Sequence, residues 1–334
     1  VTTTQSPPHV LTAQAPARFD YLPIAFFGSV MGLCGLSIAW RLAHERFGAP
    51  LWIAEFIGVA AVLTFIALSI GYIAKAIVAP DAVRNEFTHP IIGSLFGTVF
   101  ISLLLLPIII APLSLITARL LWVSGSAGMI VFAWLIVSRW MSDRQQVAHA
   151  TPAWIVPVVG TLDVPLAAPS LQLPFTHGVM VLALAIGLFF TMPLFTLIFS
   201  RLLFEPPLPD ALQPSLLILV APFAVGFSSY VATVGTIDLF AQSLFALTLF
   251  VLAVLLGRLR RLLRGCPFRI SWWAVSFPLA ASAVDALRIA IAWPSGMSMA
   301  LALLLLAGSS LVVALLSART LIGLARGELR ALSA

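Results

Sequence analysis

Five ionisable residues interrupt otherwise apolar stretches of this sequence: Glu55, Asp163, Asp238, Asp285 and Arg288. Such a group marks either a place where protons or ions are handled or two charges that neutralise each other. Asp163 lies between Pro157 and Pro165. It reads as a carboxyl that faces a lumen and takes up a proton, or as a residue at an outer mouth. Glu55 and Asp238 fall within a turn of a helix start, where the helix dipole favours a carboxylate and water is near. Asp285 and Arg288, spaced i, i+3, read as an intrahelical pair. Other chemistry lacks a framework. His9, His44, His89, His149 and His177 are scattered singly, and HxxxH, CxxC and Gly-rich phosphate motifs are missing. Cys34 falls in an apolar run and Cys266 in a basic loop, so no disulfide is expected. The reading is not an enzyme, with no metal and no cofactor.

The elements that carry these residues follow from composition. Of 334 residues, 61% are hydrophobic and 9% charged, with a mean hydropathy of +1.10. Soluble domains carry about 25% charged residues, so a water-facing exterior is excluded. At about 20 apolar residues per crossing, the length suits ten transmembrane helices. Ten apolar segments are predicted at 21–43, 51–79, 90–111, 114–138, 152–168, 176–203, 212–235, 238–263, 271–293 and 297–325. The fold class is an all-α polytopic membrane protein. Residues 1–19 are polar, Pro-rich and unlike a cleaved signal, and are expected to be a disordered cytoplasmic tail. Residues 20–326 form the membrane domain and 327–334 a cytoplasmic C-terminal tail.

Orientation follows from the basic residues. Arg41, Arg46, Arg119 and Arg288 fall on one side, and the other fourteen of the eighteen on the opposite side, with both termini. The positive-inside bias therefore places both termini in the cytoplasm of a plasma (inner) membrane. Lys75 is counted there as a loop residue, and the basic loop 257–269 as a topology anchor or a site for anionic lipid. The net charge of +6 is too dispersed for nucleic acid. Prolines repeat with a period near 62: Pro90, Pro152 and Pro214 before odd segments, Pro50, Pro112 and Pro174 before even ones. Two helices and two loops fill that period, so the chain reads as five helical hairpins. Pro107, Pro157, Pro222 and Pro278 fall within odd segments, whereas Pro193 is the clear case in an even one. An interior proline kinks a helix, and irregular backbone at membrane depth must be buried or face a water-filled path. The odd segments are thus expected to form an inner ring around a central pore. No Lys or Arg sits in the middle of an odd segment, which favours a conduction path over a tight carboxylate clamp. A pore for a neutral molecule satisfies the same observation.

Four stretches carry a resemblance to a known family, FFGSVMGLCGLSIAW (26–40), EFTHP (86–90), QPSLLILVAPFAVGFSSY (213–230) and SWWAVSFPLAA (271–281), and TPAWIVPVVG (151–160) fits its short fifth helix. In these the sequence resembles the tellurite-resistance/dicarboxylate transporter family, which includes plant guard-cell slow anion channels and fungal malate and sulfite transporters. The resemblance implies ten helices in five quasi-fivefold hairpins, odd helices around a pore, and a homotrimer in the lipid bilayer. It implies small anions such as chloride, nitrate, malate or sulfite as cargo. A pore-blocking phenylalanine of the family matches Phe277, and Gly28 and Gly32 match glycines that leave room opposite that ring. Asp163 departs from the pattern, because the family usually carries neutral residues there. The expected function is a gated anion channel occluded by Phe277. The alternative is a proton-coupled C4-dicarboxylate (malate) or sulfite/tellurite transporter in which Asp163 titrates. A third class is a receptor or scaffold with a vestigial pore.

Overall fold

A computed structural model describes residues 21–262 and 268–333, the side chains of 258–262 excepted. The tail expected at 1–19, the centre of the basic loop 257–269 with Cys266, and Ala334 lie outside the described residues. Among the described residues, ten helices are long and apolar enough to cross a membrane: span 1 (Ile24–Phe47), span 2 (Leu51–Val78), span 3 (Ile92–Ile110), span 4 (Leu115–Ser142), span 5 (Pro152–Leu171), span 6 (Thr176–Phe204), span 7 (Asp210–Val234), span 8 (Leu239–Gly257), span 9 (Ile270–Ala292) and span 10 (Gly296–Ala325). The protein is an all-α polytopic membrane protein.

Odd and even spans are built differently. Each odd span opens as a 3-10 helix and then becomes α-helical: Ile24–Phe27 before Gly28–Phe47, Ile92–Phe96 before Gly97–Ile110, Asp210–Val220 before Ala221–Val234, and Ile270–Val275 before Ser276–Ala292. Span 5 alternates between the two forms along its whole length. Pro214, inside the opening turns of span 7, withholds an N–H that regular α-helical pairing needs. The tighter helix rises about 2.0 Å per residue against 1.5 Å. This lets a 19-residue span 3 reach across a hydrocarbon core of about 30 Å.

Spans 1, 3, 5, 7 and 9 contact one another in that order, and span 9 closes on span 1. Each even span lies outside, against its own odd predecessor and the next odd span, with span 10 against spans 9 and 1. In the odd spans 61–83% of the most apolar stretch is buried, and in the even spans 22–39%. The outward faces of the even spans carry Phe56, Ile70, Trp134, Phe189, Phe250 and Leu304, all exposed. Exposed side chains of this kind suit lipid rather than water. The C-terminal residues turn at Gly327 (φ +69°) into a short helix, Leu329–Ser333, and Arg330 stacks over the Tyr21 ring.

Without a water-driven hydrophobic effect between helices, close approach and polar ties hold them together. Ser37 donates to the Ala54 carbonyl (2.8 Å), Thr161 to that of Ala183 (2.9 Å), and Trp122 Nε1 to that of Val164 in broken span 5 (2.8 Å). Gly32 sits against span 9, where an added Cβ would lie 2.0 Å from Ser276 Oγ. That hydroxyl is already bonded to the Trp273 carbonyl at 2.7 Å. Gly28 has nothing within 4 Å of such an atom. Gly32→Ala is therefore expected to destabilise the protein by about 1–3 kcal/mol while Gly28→Ala leaves it unchanged. Thermal unfolding in detergent compares the two, and equal midpoints would remove the packing role of Gly32.

Candidate functional site

The 3-10 openings of the odd spans surround a cavity of about 130 Å³. Every odd span contributes: Gly28 from span 1, Thr98 from span 3, Asp163 from span 5, Ser215 from span 7, Phe277 and Pro278 from span 9. Thr151 and Ser271 also line it, and the rest of the wall is mostly aliphatic and aromatic. A second cavity of about 70 Å³ lies among the α-helical halves of the same five spans, lined by Gly35, Leu105, Leu166, Ser228 and Arg288 among others. Phe277 and Val225 border both cavities. Phe277 is buried, and its ring faces Gly35, where an added Cβ would lie 3.5 Å from ring carbon Cδ2. It is the second residue of the α-helical part of span 9, directly after the 3-10 segment Ile270–Val275.

The other expected site residues divide. Gly28 lines the larger cavity, whereas Gly32 borders neither and packs on Ser276. The glycine opposite the ring is Gly35, within the stretch 26–40 that carried the resemblance. Of the prolines read as interior kinks, Pro107 lies inside a helix, as does Pro193 of span 6. Pro157 and Pro222 instead occupy the first turn of an α-helical segment that follows a 3-10 turn. A missing N–H costs nothing there, so the break precedes the proline. Pro278 is the third residue of its helical segment and lines the larger cavity.

Asp163 ends the 3-10 turn Gly160–Asp163, is buried, and lines the larger cavity. Its Oδ1 has no hydrogen-bond partner. Asp285 does not form the expected ion pair with Arg288: among the described residues no such contact lies within 4.0 Å. Asp285 Oδ1 instead accepts from Ser228 Oγ across to span 7 at 2.7 Å. Asp238 caps span 8 by accepting from the Ala241 N–H (3.0 Å). It also accepts from Tyr230 Oη (2.6 Å), and that hydrogen bond first, with the backbone ones, holds its carboxyl below the usual carboxylate range. Glu55 is exposed in the first turns of span 2.

Lys75 is a correction and a residue the sequence reading missed. It is no loop residue but sits buried in the last turn of span 2. Its Nζ donates to Glu86 Oε1 (2.9 Å) and to the Leu22 carbonyl (2.7 Å), and Tyr72 Oη donates to Glu86 Oε2 (2.6 Å). One ion pair thus ties the end of span 2, the connecting helix Pro80–Thr88 and the start of span 1. The signal was available, since Lys75 is the single lysine in the chain and Glu86 opens the EFTHP stretch. In that stretch His89 Nδ1 accepts from the N–H groups of Ile91 and Ile92, both at 3.1 Å, and caps span 3. Burial, and the nearby His149, lower the pKa of His89, in the direction that favours an accepting ring nitrogen. Arg139 donates to the carbonyls of Phe87 and Thr88.

With this geometry in view, comparison with known proteins is decisive. The family described as voltage-dependent anion channel (SLAC1) matches residues 21–321. The chain belongs to this family. It is 31% identical over 312 residues to the S-type anion channel SLAH3 of Arabidopsis thaliana, covering 90% of this chain and 48% of that one. It is 28% identical to the tellurite resistance protein TehA homolog of Haemophilus influenzae, covering 79% and 80%. A transporter of Methanocaldococcus jannaschii, MJ0762, is 26% identical over 76% of this chain and 81% of its own length. The chain spans about half the length of SLAH3 and of its relative SLAH2.

Removing one partner of a buried ion pair strands the other charge. Lys75→Met is expected to cost about 3–5 kcal/mol, and Lys75→Met with Glu86→Leu to recover much of it. Thermal unfolding of the single and double variants measures this, and a single variant as stable as the parent would show the pair to be dispensable.

Proposed function

We propose that this protein is a gated anion pathway through a membrane. The observation that carries the reading is the place of Phe277, whose side chain borders two cavities contributed by the same five spans. A ring there occludes a narrow path by bulk and by dewetting. Gly28 and Pro278 would line the path on one side of the ring, and Gly35 would give the ring its room. Pro107, Pro157 and Pro222 would shape the odd spans behind that lining. Membership of a family described as an anion channel supports anions as cargo, with chloride and nitrate as the first to try. Partial positive charge at helix breaks stabilises an anion without a fixed clamp. The bias of basic residues supports cytoplasmic termini in an inner or plasma membrane, which puts the larger cavity on the cytoplasmic side. A homotrimer, each protomer with its own pathway, is carried by the resemblance.

Asp163 favours a second reading. A carboxyl facing the larger cavity repels a bare anion when ionised, and accommodates one when it holds a proton. The protein would then be a proton-coupled carrier of malate, sulfite or tellurite.

Planar-bilayer recordings of the parent and Phe277→Ala, with chloride, nitrate and malate varied on one side, separate these readings. The channel reading expects the variant to carry at least about tenfold more current, reversing at the anion equilibrium potential; a variant as silent as the parent rejects the gate. The carrier reading expects acid-stimulated malate or sulfite uptake into proteoliposomes that loses its pH dependence in Asp163→Asn. Uptake with the same pH profile in both proteins would reject that role for Asp163.

A further inference from the structure

Asp163 brings a carboxyl to the larger cavity, and among the described residues no Lys, Arg, His or second acid lines that wall. Asp163 is only 2% exposed, and its Oδ1 has no hydrogen-bond partner. An ionised carboxylate in such surroundings is costly unless a positive charge lies beside it. A proton or another cation supplies that charge.

The other polar groups of the wall are hydroxyls. Thr98 donates to the Leu95 carbonyl (2.6 Å) and Ser215 to that of Leu212, which leaves their oxygen lone pairs as acceptors. Thr151 Oγ1 and Ser271 Oγ are buried without a partner. Trp273 and Phe277 bring aromatic rings to the same wall, and the Trp273 Nε1–H is occupied by Thr320 Oγ1 (3.0 Å). A carboxyl, acceptor oxygens and aromatic rings with no fixed cation make a chamber suited to an ammonium ion. Such an ion sets a positive charge against the carboxylate, carries donors for the oxygens and is attracted by aromatic faces. The cavity, about 130 Å³, is a little smaller than the roughly 150 Å³ that accommodates benzene. Its occupant therefore has about six to eight heavy atoms. The predominantly apolar wall calls for a compact hydrocarbon body on that ion.

We propose that the larger cavity is a binding site for a small primary amine with a compact apolar body, held as its ammonium ion by Asp163. A proton held by the carboxyl beforehand is released to water as the ammonium enters, so one positive charge replaces another. The site does not rest on the anion-pathway reading.

The test uses the full chain purified in detergent, titrated with cyclohexylammonium at constant pH and ionic strength, with calorimetric heat and thermal unfolding as readouts. Saturable binding and a raised unfolding midpoint are expected in the parent; their absence overturns the site. Cyclohexanol has the same body without the charge, and should need at least about tenfold more for half-saturation. Asp163→Asn keeps the shape of the side chain, and should weaken amine binding about tenfold or more. Gly28→Leu places a side chain in the open space beside Gly28, and should abolish binding. Glu55→Gln, exposed on span 2, should match the parent. Amine binding in Asp163→Asn equal to that of the parent overturns the site. If that variant does not fold, equal binding of cyclohexanol and cyclohexylammonium by the parent overturns it, as apolar filling only. Saturable binding of cyclohexanecarboxylate in preference to the ammonium also overturns it. A silent Phe277→Ala with intact, Asp163-dependent amine binding supports the site and rejects only the conducting pathway.

Discussion

A backbone group in lipid has no water to turn to, and that constraint organises the molecule. Five of the ten spans open with 3-10 turns, whose hydrogen bonds have poorer geometry and leave donors and acceptors less well satisfied than an α-helix does. Helices of that kind cannot face hydrocarbon. They are gathered into one ring, and the five regular helices stand around them. The division of labour is physical: the outer helices satisfy their own backbone and expose apolar side chains to lipid, which leaves the inner ones free to be irregular. The larger cavity lies where that irregularity is concentrated, among the 3-10 turns themselves.

The few charged groups at depth separate by what they touch. Lys75 and Glu86 neutralise each other, with Tyr72 and the Leu22 carbonyl completing their hydrogen bonds, so this cluster fastens three pieces of chain together. Asp285 does similar work between spans 9 and 7 through Ser228. Asp163 and Arg288 differ from these, since each borders a cavity and neither has a hydrogen bond to its charged group among the described residues. A carboxyl on one side of Phe277 and a guanidinium on the other make the two chambers electrostatically unlike.

Much of the architecture was legible in the sequence because lipid allows few solutions. The ten apolar runs agree with the observed spans to within a few residues at most ends, and the 62-residue proline period matches the hairpin repeat. The burial of the odd spans followed from proline placement, although the mechanism differs in detail: Pro157 and Pro222 sit just after a change of helix type rather than inside a kink. Three-dimensional neighbours were not legible. Spacing put Asp285 beside Arg288, but Ser228, 57 residues away, took the carboxylate. Lys75 looked like a loop cation because charge at the end of an apolar run normally snorkels to water, and only the return of Glu86 over the end of span 2 makes its burial affordable. Similarly, three glycines in span 1 share one helix, and which of them faces Phe277 depends on the rotation of span 9.

The position of that ring depends on helix form. A 3-10 helix turns 120° per residue and an α-helix 100°, with rises of about 2.0 and 1.5 Å. Each residue exchanged between the two forms therefore rotates everything beyond it by about 20° and shifts it by about 0.5 Å. Six residues, Ile270–Val275, stand in the 3-10 form immediately ahead of Ser276 and Phe277. Moving the junction by one or two residues displaces the ring relative to Gly35 together with the α-helical half of span 9 that carries it. Gly32 resists the same displacement, because Ser276 is already in contact with its backbone. The close approach that joins spans 1 and 9 and the junction that orients Phe277 are thus one structural unit.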